Sequence, residues 1–185
     1  VHEELDILLI GGGMACCGTA YEMMRWAEAV KAETGTELKI KLVDKAAMDR
    51  SGAVAQGLSA INTYIGPEQD PADYARMVSN DLMGITRDDL AYDLGRNVDD
   101  SVHLFEEWGL PIVRYPKPGR YLREGRWQIM IHGESYKPIV AEAAKKSADK
   151  VFNRICVTHL LMDESRENRV AGAVGFNVRT GNYHV

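Results

Sequence analysis

The stretch LDILLIGGGMACCGTAYEMMRWAEAV, residues 5–30, decides the predicted fold. It opens with a nearly continuous apolar run at residues 5–10, which is typical of a strand buried on both faces of a parallel sheet. Three glycines at 11–13 break this run. Apolar residues then recur from Met14 at spacings of three and four, as on one face of an amphipathic helix. The stretch therefore predicts a strand, a tight glycine turn and a long helix.

A second strand completes this unit. The helix is expected to end at Thr34-Gly35, because glycine is the usual C-terminal stop. Residues 38–43 then alternate as a strand that ends at Asp44. A strand–helix–strand unit of this kind predicts two parallel strands joined by a right-handed crossover. The predicted fold class is α/β, with a parallel, Rossmann-like sheet and helices on both of its faces.

The rest of the chain predicts further helices and the start of an antiparallel β-meander. Asp70-Pro71 is typical of a helix N-cap followed by proline, and this helix is expected to run to about Met83. Thr86 and Asp89 resemble a capping box that opens a helix ending at Trp108-Gly109. A helix is predicted over 135–148, strands over 154–162 and 170–178, and a hairpin turn at 179–182.

Composition limits the possible functions. The 185 residues are 45% hydrophobic and 26% charged, which fits one ordinary globular domain spanning 1–185. Lys and Arg total 22 against 27 Asp and Glu, and the net charge of −5 argues against nucleic-acid binding. The apolar runs are far shorter than a membrane span needs. A cytoplasmic protein is predicted. The first residue is Val1 and the last lies in a predicted strand, so we expect the chain to be a piece of something larger.

The glycines between the first strand and helix point to dinucleotide binding. Gly11 would permit the tight turn, and Gly13 would let a pyrophosphate approach the helix N-terminus. The third glycine of the usual pattern is replaced by Cys16. Asp44 is placed to accept hydrogen bonds from ribose hydroxyls and would repel a 2′-phosphate, which disfavours NADP. Alternatively, Asp44 is a solvated acid at a strand end. The motif alone does not separate NAD from FAD.

A family resemblance enters at RSGAVAQGLSAINTYIG, residues 50–66. This segment resembles the flavin-contacting segment of the fumarate reductase and succinate dehydrogenase flavoprotein superfamily. The strings MVSNDLMGI, SVHLFEEWGLPI and EGRWQIMIHGESYKPIVAEAAKK are similar, within that superfamily, to the alpha subunits of dissimilatory adenylylsulfate (APS) reductases. The similarity covers essentially the whole chain.

The resemblance implies an FAD-dependent oxidoreductase of sulfur metabolism. Such an enzyme interconverts APS plus two electrons with AMP plus sulfite, through a flavin–sulfite adduct. It implies noncovalent FAD and a partner beta subunit that carries the iron–sulfur clusters. Because the family's subunit is several times longer, the resemblance also implies that the chain is an N-terminal fragment, without the capping and C-terminal parts. The fragment alone is expected to be inactive, since later parts of the family's subunit supply an arginine and a histidine to the catalytic site.

The resemblance also implies site residues. Asn62 would lie near the reactive flavin nitrogen, and Glu124 would line the substrate channel. Ser51 matches the position of the flavin-linked histidine of covalent members, so no covalent bond is expected. The residues expected to bind the cofactor are Gly11, Gly13, Met14, Ala15, Asp44, Lys45, Ser51, Gly52, Gln56, Gly57 and Ser59.

Each of these assignments has a simpler alternative. Without the resemblance, residues 50–66 would read as a mobile Gly/Ala/Ser surface loop. The alternatives for the other two are a satisfied turn residue for Asn62 and a solvated loop acid for Glu124. His132 is a possible proton donor, and Trp127 either stacks a base or belongs to the core. A cationic wall for anionic substrates, or an exposed or subunit-contact loop, is predicted from five basic residues: Arg114, Lys117, Arg120, Arg123 and Arg126.

Metal chemistry is not predicted for this chain. The cysteines at 16, 17 and 156 form no CxxC motif, so iron–sulfur clusters would have to be ligated elsewhere. The five histidines show no metal-ligand spacing. Two rival functions stay open: another flavoprotein of the superfamily, of the fumarate reductase or L-aspartate oxidase type, and a noncatalytic adenine-nucleotide-binding module. The bare loop at 50–66 argues against the second rival, because plain nucleotide binding does not need it.

Overall fold

The computed structural model describes residues 1–63, 70–116, 121–125 and 128–185. The chain divides into two compact units, residues 1–56 with 137–185 and residues 57–136. The prediction of one incomplete domain over 1–185 stays a prediction. The α-helices and strands are, in chain order, β1 Ile7–Ile10, α1 Met14–Thr34, β2 Ile40–Asp44, β3 Ala60–Asn62, α2 Pro71–Asp81, α3 Asp88–Glu107, β4 Arg123–Glu124, β5 Gln128–Met130, α4 Tyr136–Ser147, β6 Lys150–Asn153, β7 Ile155–Met162, β8 Val170–Asn177 and β9 Tyr183–His184.

The strand–helix–strand unit predicted from the sequence is confirmed in the first unit. β1 pairs with β2 in parallel, from Ile7 opposite Ile40 to Ile10 opposite Val43. α1 ends as expected, because Gly35 adopts a left-handed conformation with φ of 74° and donates its N–H to the Lys31 carbonyl. Both predicted strands begin two residues later than expected.

A third parallel strand, β6, was not predicted from the sequence, because it has only four residues and directly precedes the longer β7. β6 pairs with β2, which makes β2 the central strand of the order β1-β2-β6. All five residues of β2 are consequently buried, rather than alternating between a buried and an exposed face. The predicted β-meander is confirmed as the antiparallel sheet β7-β8-β9.

The second unit packs two helices and a small sheet. Asp70 caps α2 as predicted, since its carboxylate accepts the Asp73 N–H at 2.8 Å and Pro71 is the first helical residue. The capping box predicted at Thr86 is wrong, because α3 begins at Asp88 after Arg87. The guanidinium of Arg87 binds the carboxylate of Asp89 instead, with 2.8 Å between Nε and Oδ1.

The sheet of the second unit has the antiparallel order β3-β5-β4. Ile129 in β5 is fully buried and packs with Val98 and Val102 of α3. Ile61 of β3 is partly buried against the same cluster. One face of this sheet therefore covers the core of the unit. Among the described residues, no helix is both long and apolar enough to cross a membrane.

Candidate functional site

The carboxyl ends of the three parallel strands meet at one edge of the first unit. Gly11 follows β1, and its N–H donates to the Val43 carbonyl at 2.7 Å. Asp44, the last residue of β2, pairs with Asn153 at the end of β6. Ligands of open α/β sheets bind outside the carboxyl ends of the strands. This edge is therefore the candidate binding site of the first unit.

The glycine loop has the two properties expected of it. Gly11 has a φ of +119°, a conformation that side chains disfavour, so the tight turn needs glycine there. Gly13 is exposed, and a Cβ built on it would meet nothing within 4 Å. The backbone at Gly13 is thus open to an approaching ligand. Cys16, at the third glycine position, fits under the turn and lies 3.7 Å from a Cβ built on Gly11.

Gly12 is a constraint that the motif did not reveal. A Cβ built on it would lie 2.7 Å from Met48 Cβ and 2.8 Å from Asp44 Oδ2. The buried backbone of Gly12 therefore packs directly against the end of β2 and the loop that follows it. Glycine is required at position 12 by packing, whereas at position 13 it leaves space.

The residues after β2 fold back onto Asp44. The Asp44 side chain is buried and accepts a hydrogen bond from the Ser51 hydroxyl at 3.3 Å. Ser51 also donates to the Ala47 carbonyl at 2.7 Å, and Asn153 accepts the Met48 N–H at 2.9 Å. The structure thus brings together Gly11, Gly13, Asp44 and Ser51, four of the predicted cofactor-binding residues.

The remaining predicted residues of this unit continue the same edge. Met14 and Ala15 form the first turn of α1, where the N-terminal N–H groups of a helix lack internal partners. Lys45 directly follows Asp44 and is exposed. Gly52, with φ of +88°, leads into a short 3-10 turn that ends at Gln56.

Lys137 is a site residue that the sequence analysis missed. It is the second residue of α4, its side chain is 2% exposed, and its ammonium donates to the carbonyl of Gly12. A signal was present in the sequence. Lys137 occupies the buried stripe of α4 together with Val140, Ala141 and Ala144, at i, i+3, i+4 and i+7. A lysine at such a position is unusual, since lysine is rarely buried without a partner.

The two adjacent cysteines near the start of α1 have structural roles. Burial raises the pKa of the Cys17 thiol, and burial with the nearby Asp44 carboxylate raises the pKa of Cys16. Both thiols point at backbone carbonyls, Cys16 at Ile10 and Cys17 at Gly12. Protonated, engaged thiols are poor nucleophiles.

In the second unit, the segment after Gly57 runs against the short 3-10 turn at Gly133–Ser135. Gly57 has φ of +81°, and the Ser59 carbonyl accepts the Ile131 N–H at 2.9 Å. A Cβ built on Gly133 would lie 1.4 Å from the Leu58 carbonyl oxygen, so these two backbones touch. Gly57 and Ser59 are thereby fixed by backbone contacts.

The two predicted catalytic residues share one row of the small sheet. Asn62 of β3 and Glu124 of β4 are each directly opposite Gln128 of the central strand β5. Directly opposed residues in antiparallel strands point to the same face, with Cβ atoms about 4.5–5.5 Å apart. Asn62 and Glu124 are exposed, on the face opposite to buried Ile129. The sheet therefore presents an amide, a second amide and a carboxylate in line.

The predicted cationic wall is only partly described. Arg114 binds the Glu106 carboxylate and lies over the Tyr121 ring at 4.7 Å, so its charge is locally neutralised. Tyr121 donates to Glu106 at 2.6 Å, and burial with this bond raises the pKa of Tyr121 to about 12. Burial lowers the pKa of Arg123. Five residues named from the sequence lie outside the described residues: Gly66, Lys117, Arg120, Arg126 and Trp127.

His132 is exposed, and its backbone N–H donates to the Pro111 carbonyl at 3.0 Å. Within residues 1–63, 70–116, 121–125 and 128–185, no group of three or more His, Cys, Asp or Glu side chains is arranged to hold a metal ion. The proton-donor role of His132 stays a prediction.

Comparisons with known proteins agree with the resemblance. No protein-family model matches the chain. The adenylylsulfate reductase subunit alpha of Megalodesulfovibrio gigas is 52% identical over an alignment of 206 positions, which covers all of this chain and 30% of the relative. The solved structure of an adenosine-5-phosphosulfate reductase in complex with sulfite, described as a covalent adduct, is 53% identical with a TM-score of 0.88, over 100% of this chain and 29% of that one.

A more distant match shows the fold alone. The Escherichia coli quinol fumarate reductase is 17% identical, with a TM-score of 0.75, over 99% of this chain and 31% of that one. The chain thus spans about 30% of the length of the curated relative it matches. The resemblance stated from the sequence, and the α/β fold class, are confirmed.

Proposed function

We propose that this chain, which is similar along its whole length to adenylylsulfate reductase alpha subunits, forms the N-terminal, FAD-binding part of such a catalytic subunit. The observation that carries the proposal is identity of 52% extending over every part of the chain. The rival fumarate reductase type shares the fold at 17% identity, which supports architecture and not activity. The full subunit would interconvert APS plus two electrons with AMP plus sulfite.

The carboxyl edge of the parallel sheet fits a dinucleotide. Gly13 offers an open backbone beside the N-terminus of α1, where N–H groups and the helix dipole favour a pyrophosphate. The buried Asp44 carboxylate would accept ribose hydroxyls, and Lys45, Gly52 and Gln56 would extend the contact surface. Bound FAD would supply the two-electron chemistry that side chains lack.

The cofactor would be held noncovalently. Ser51 stands where a flavin-linked histidine occurs in covalent members of the superfamily. Its hydroxyl donates to the Ala47 carbonyl at 2.7 Å and to Asp44 at 3.3 Å. A hydroxyl used in this way stabilises the loop around Asp44 and forms no bond to a flavin.

The row on the small sheet would serve the substrates. Asn62 would donate its amide hydrogen bonds where negative charge develops during reaction with sulfite, which lowers such barriers. Glu124 would accept hydrogen bonds from a donor on APS or AMP. Gln128 lies between them and would keep both side chains in register through β5.

A partner subunit would supply the electrons. The relative from Megalodesulfovibrio gigas is named a subunit alpha, which implies at least one other subunit for that protein. The cysteines at 16, 17 and 156 of this chain do not form a cluster-binding motif. We therefore propose a beta subunit that carries the iron–sulfur clusters.

An activity assay tests the proposal. The full-length subunit would be purified with its partner and assayed for electron transfer to an artificial acceptor in the presence of AMP, sulfite, or both. Transfer that requires both compounds is the expected result. Transfer from succinate, with none from AMP plus sulfite, would instead favour the fumarate reductase type.

A further inference from the structure

The buried ammonium of Lys137 and the open amide of Gly13 lie on either side of one peptide bond. Lys137 donates to the Gly12 carbonyl, and Cys17 Sγ lies 3.6 Å from the same oxygen. Gly12 is buried and Lys137 is 2% exposed, so this carbonyl points into the first unit. Two donors from different helices thus fix its direction.

The direction of that carbonyl determines the direction of the next N–H. A peptide bond is planar and almost always trans, so the C=O of Gly12 and the N–H of Gly13 point in opposite directions. With the carbonyl turned inward, the Gly13 N–H must face the open side of the loop. The backbone there is accessible, since Gly13 is exposed and a Cβ built on it would meet nothing within 4 Å.

The buried charge of Lys137 gives a second reason to expect an anion at this loop. Burying an ammonium is costly unless other groups compensate for it. Among the described residues, the hydrogen-bond acceptor of Lys137 is a neutral carbonyl and not a carboxylate. The Asp44 carboxylate also packs against Gly12, and an anion bound at the loop would add further negative charge near Lys137.

We infer that Lys137 is a positioning residue of the dinucleotide site: it holds the Gly12 carbonyl inward and thereby aims the Gly13 N–H at the pyrophosphate of the cofactor. The inference rests on the proposed binding of FAD. It assigns to α4, a helix far from the glycine motif in sequence, a part in building the phosphate-binding loop. The role would be specific to phosphate, because an N–H at a helix N-terminus favours an anionic group over the neutral adenosine part of the ligand.

The test compares ligands with and without the pyrophosphate. Full-length apoprotein is reconstituted with FAD, and displacement of FAD is titrated with ADP and with adenosine, so that only binding at the cofactor site is counted. Lys137→Met removes the charge and the donor. Lys145→Met, at an exposed position in the last turn of the same helix, is the matched control.

We expect Lys137→Met to lower the affinity for ADP relative to adenosine by about tenfold or more, the scale for a lost hydrogen bond to a charged group. Lys145→Met should leave this ratio unchanged. If Lys137→Met does not fold, Lys137→Gln, which keeps one donor without the charge, should show the same direction of change. An unchanged ratio in the folded variant, or equal losses for ADP and adenosine, would overturn the inference. A wild-type protein that binds no FAD would instead contradict the proposed function.

Discussion

The glycine-loop edge of the first unit and the Asn62 row of the second are built in opposite ways. At the loop, Gly12, Asp44 and Lys137 are buried, and the Gly12 backbone is held by the side chains of Lys137 and Cys17. At the row, Asn62 and Glu124 are exposed side chains on strands of three and two residues. The comparison indicates that the loop couples ligand binding to folding, whereas the row can change its chemistry without disturbing the core.

The largest effect is expected at the row. Asn62→Ala in the full-length enzyme should reduce turnover by about 100- to 1,000-fold. Losing one hydrogen-bond donor to a developing negative charge costs about 2.7–4 kcal/mol in well-studied oxyanion holes. The melting temperature and FAD content should stay near those of the wild type, since the Asn62 side chain is exposed. Turnover, flavin absorbance and sulfite-induced bleaching of the flavin are the measurements.

Asn97→Ala is the matched control for this prediction. Asn97 is an exposed asparagine of α3 in the same unit, and its amide donates only locally, to the Asp93 carbonyl. It should leave turnover unchanged. Wild-type turnover and bleaching in Asn62→Ala would show that Asn62 is a structural turn residue. The row could then no longer be contrasted with the loop as the region that acts on the substrates.

A smaller effect is expected at the loop, where substitutions should change the stability of the apoprotein. Gly12→Ala should destabilise the apoprotein by about 1–3 kcal/mol, because the new methyl group overlaps Asp44 and Met48 in a closely packed site. Gly13→Ala should cost less than about 1 kcal/mol, as its Cβ enters open space at the start of α1. The free energy of unfolding, measured in denaturant, separates the two variants.

For FAD binding, the order of the two variants is expected to be the reverse, with the larger loss in Gly13→Ala. Gly13→Ala places its methyl group where the pyrophosphate would approach, so it should weaken FAD binding while the protein stays folded. Equal stability of the two alanine variants would contradict the packing assigned to Gly12. Undiminished FAD binding by Gly13→Ala would show that the cofactor does not approach the loop there.

The sequence predicted the loop edge better than the row, and the reason is physical. The turn at Gly11, the end of α1 at Gly35 and the cap at Asp70 depend on local backbone preferences that residue types reveal directly. The contact of Lys137 with Gly12 joins residues 125 positions apart, so no local pattern contains it. The Thr86 capping box failed because Arg87 competes for the Asp89 carboxylate.

The row illustrates a second limit of prediction from sequence. Asn62 and Glu124 were named through family resemblance, and neither periodicity nor spacing relates residues 62 and 124. Their alignment appears only when Gln128 is seen to pair with both. β6 was missed for a similar reason, since four residues carry too little pattern to separate a strand from the neighbouring β7.

The smallest effect concerns the amino-terminal edge of the first unit. Hydrogen bonds from Lys150 and Lys41 lower the pKa of Glu3 from 4.5 to about 2. Because the folded pKa lies below the ordinary one, Glu3 should stabilise the fold fully above about pH 4.5, and this contribution should fade as the pH falls toward 2. The melting-temperature gap between wild type and Glu3→Gln should narrow over that interval.

Glu4→Gln, at the exposed neighbouring position, should show no such narrowing. A gap between wild type and Glu3→Gln that stays constant from neutral pH to about pH 2 would show that the two lysines do not stabilise the Glu3 carboxylate. The effect is confined to the edge away from the glycine loop. FAD binding at neutral pH should therefore be the same in both variants.

The central claim, that the carboxyl edge of the parallel sheet holds noncovalent FAD, is tested most directly by acid extraction of the natively purified full-length protein. We expect a yellow protein from which acid releases FAD, identified by its mass, in an amount close to one molecule per chain. Flavin that stays with the precipitated protein would contradict the noncovalent part of the claim. A colourless protein that binds NAD and takes up no FAD would contradict the claim itself.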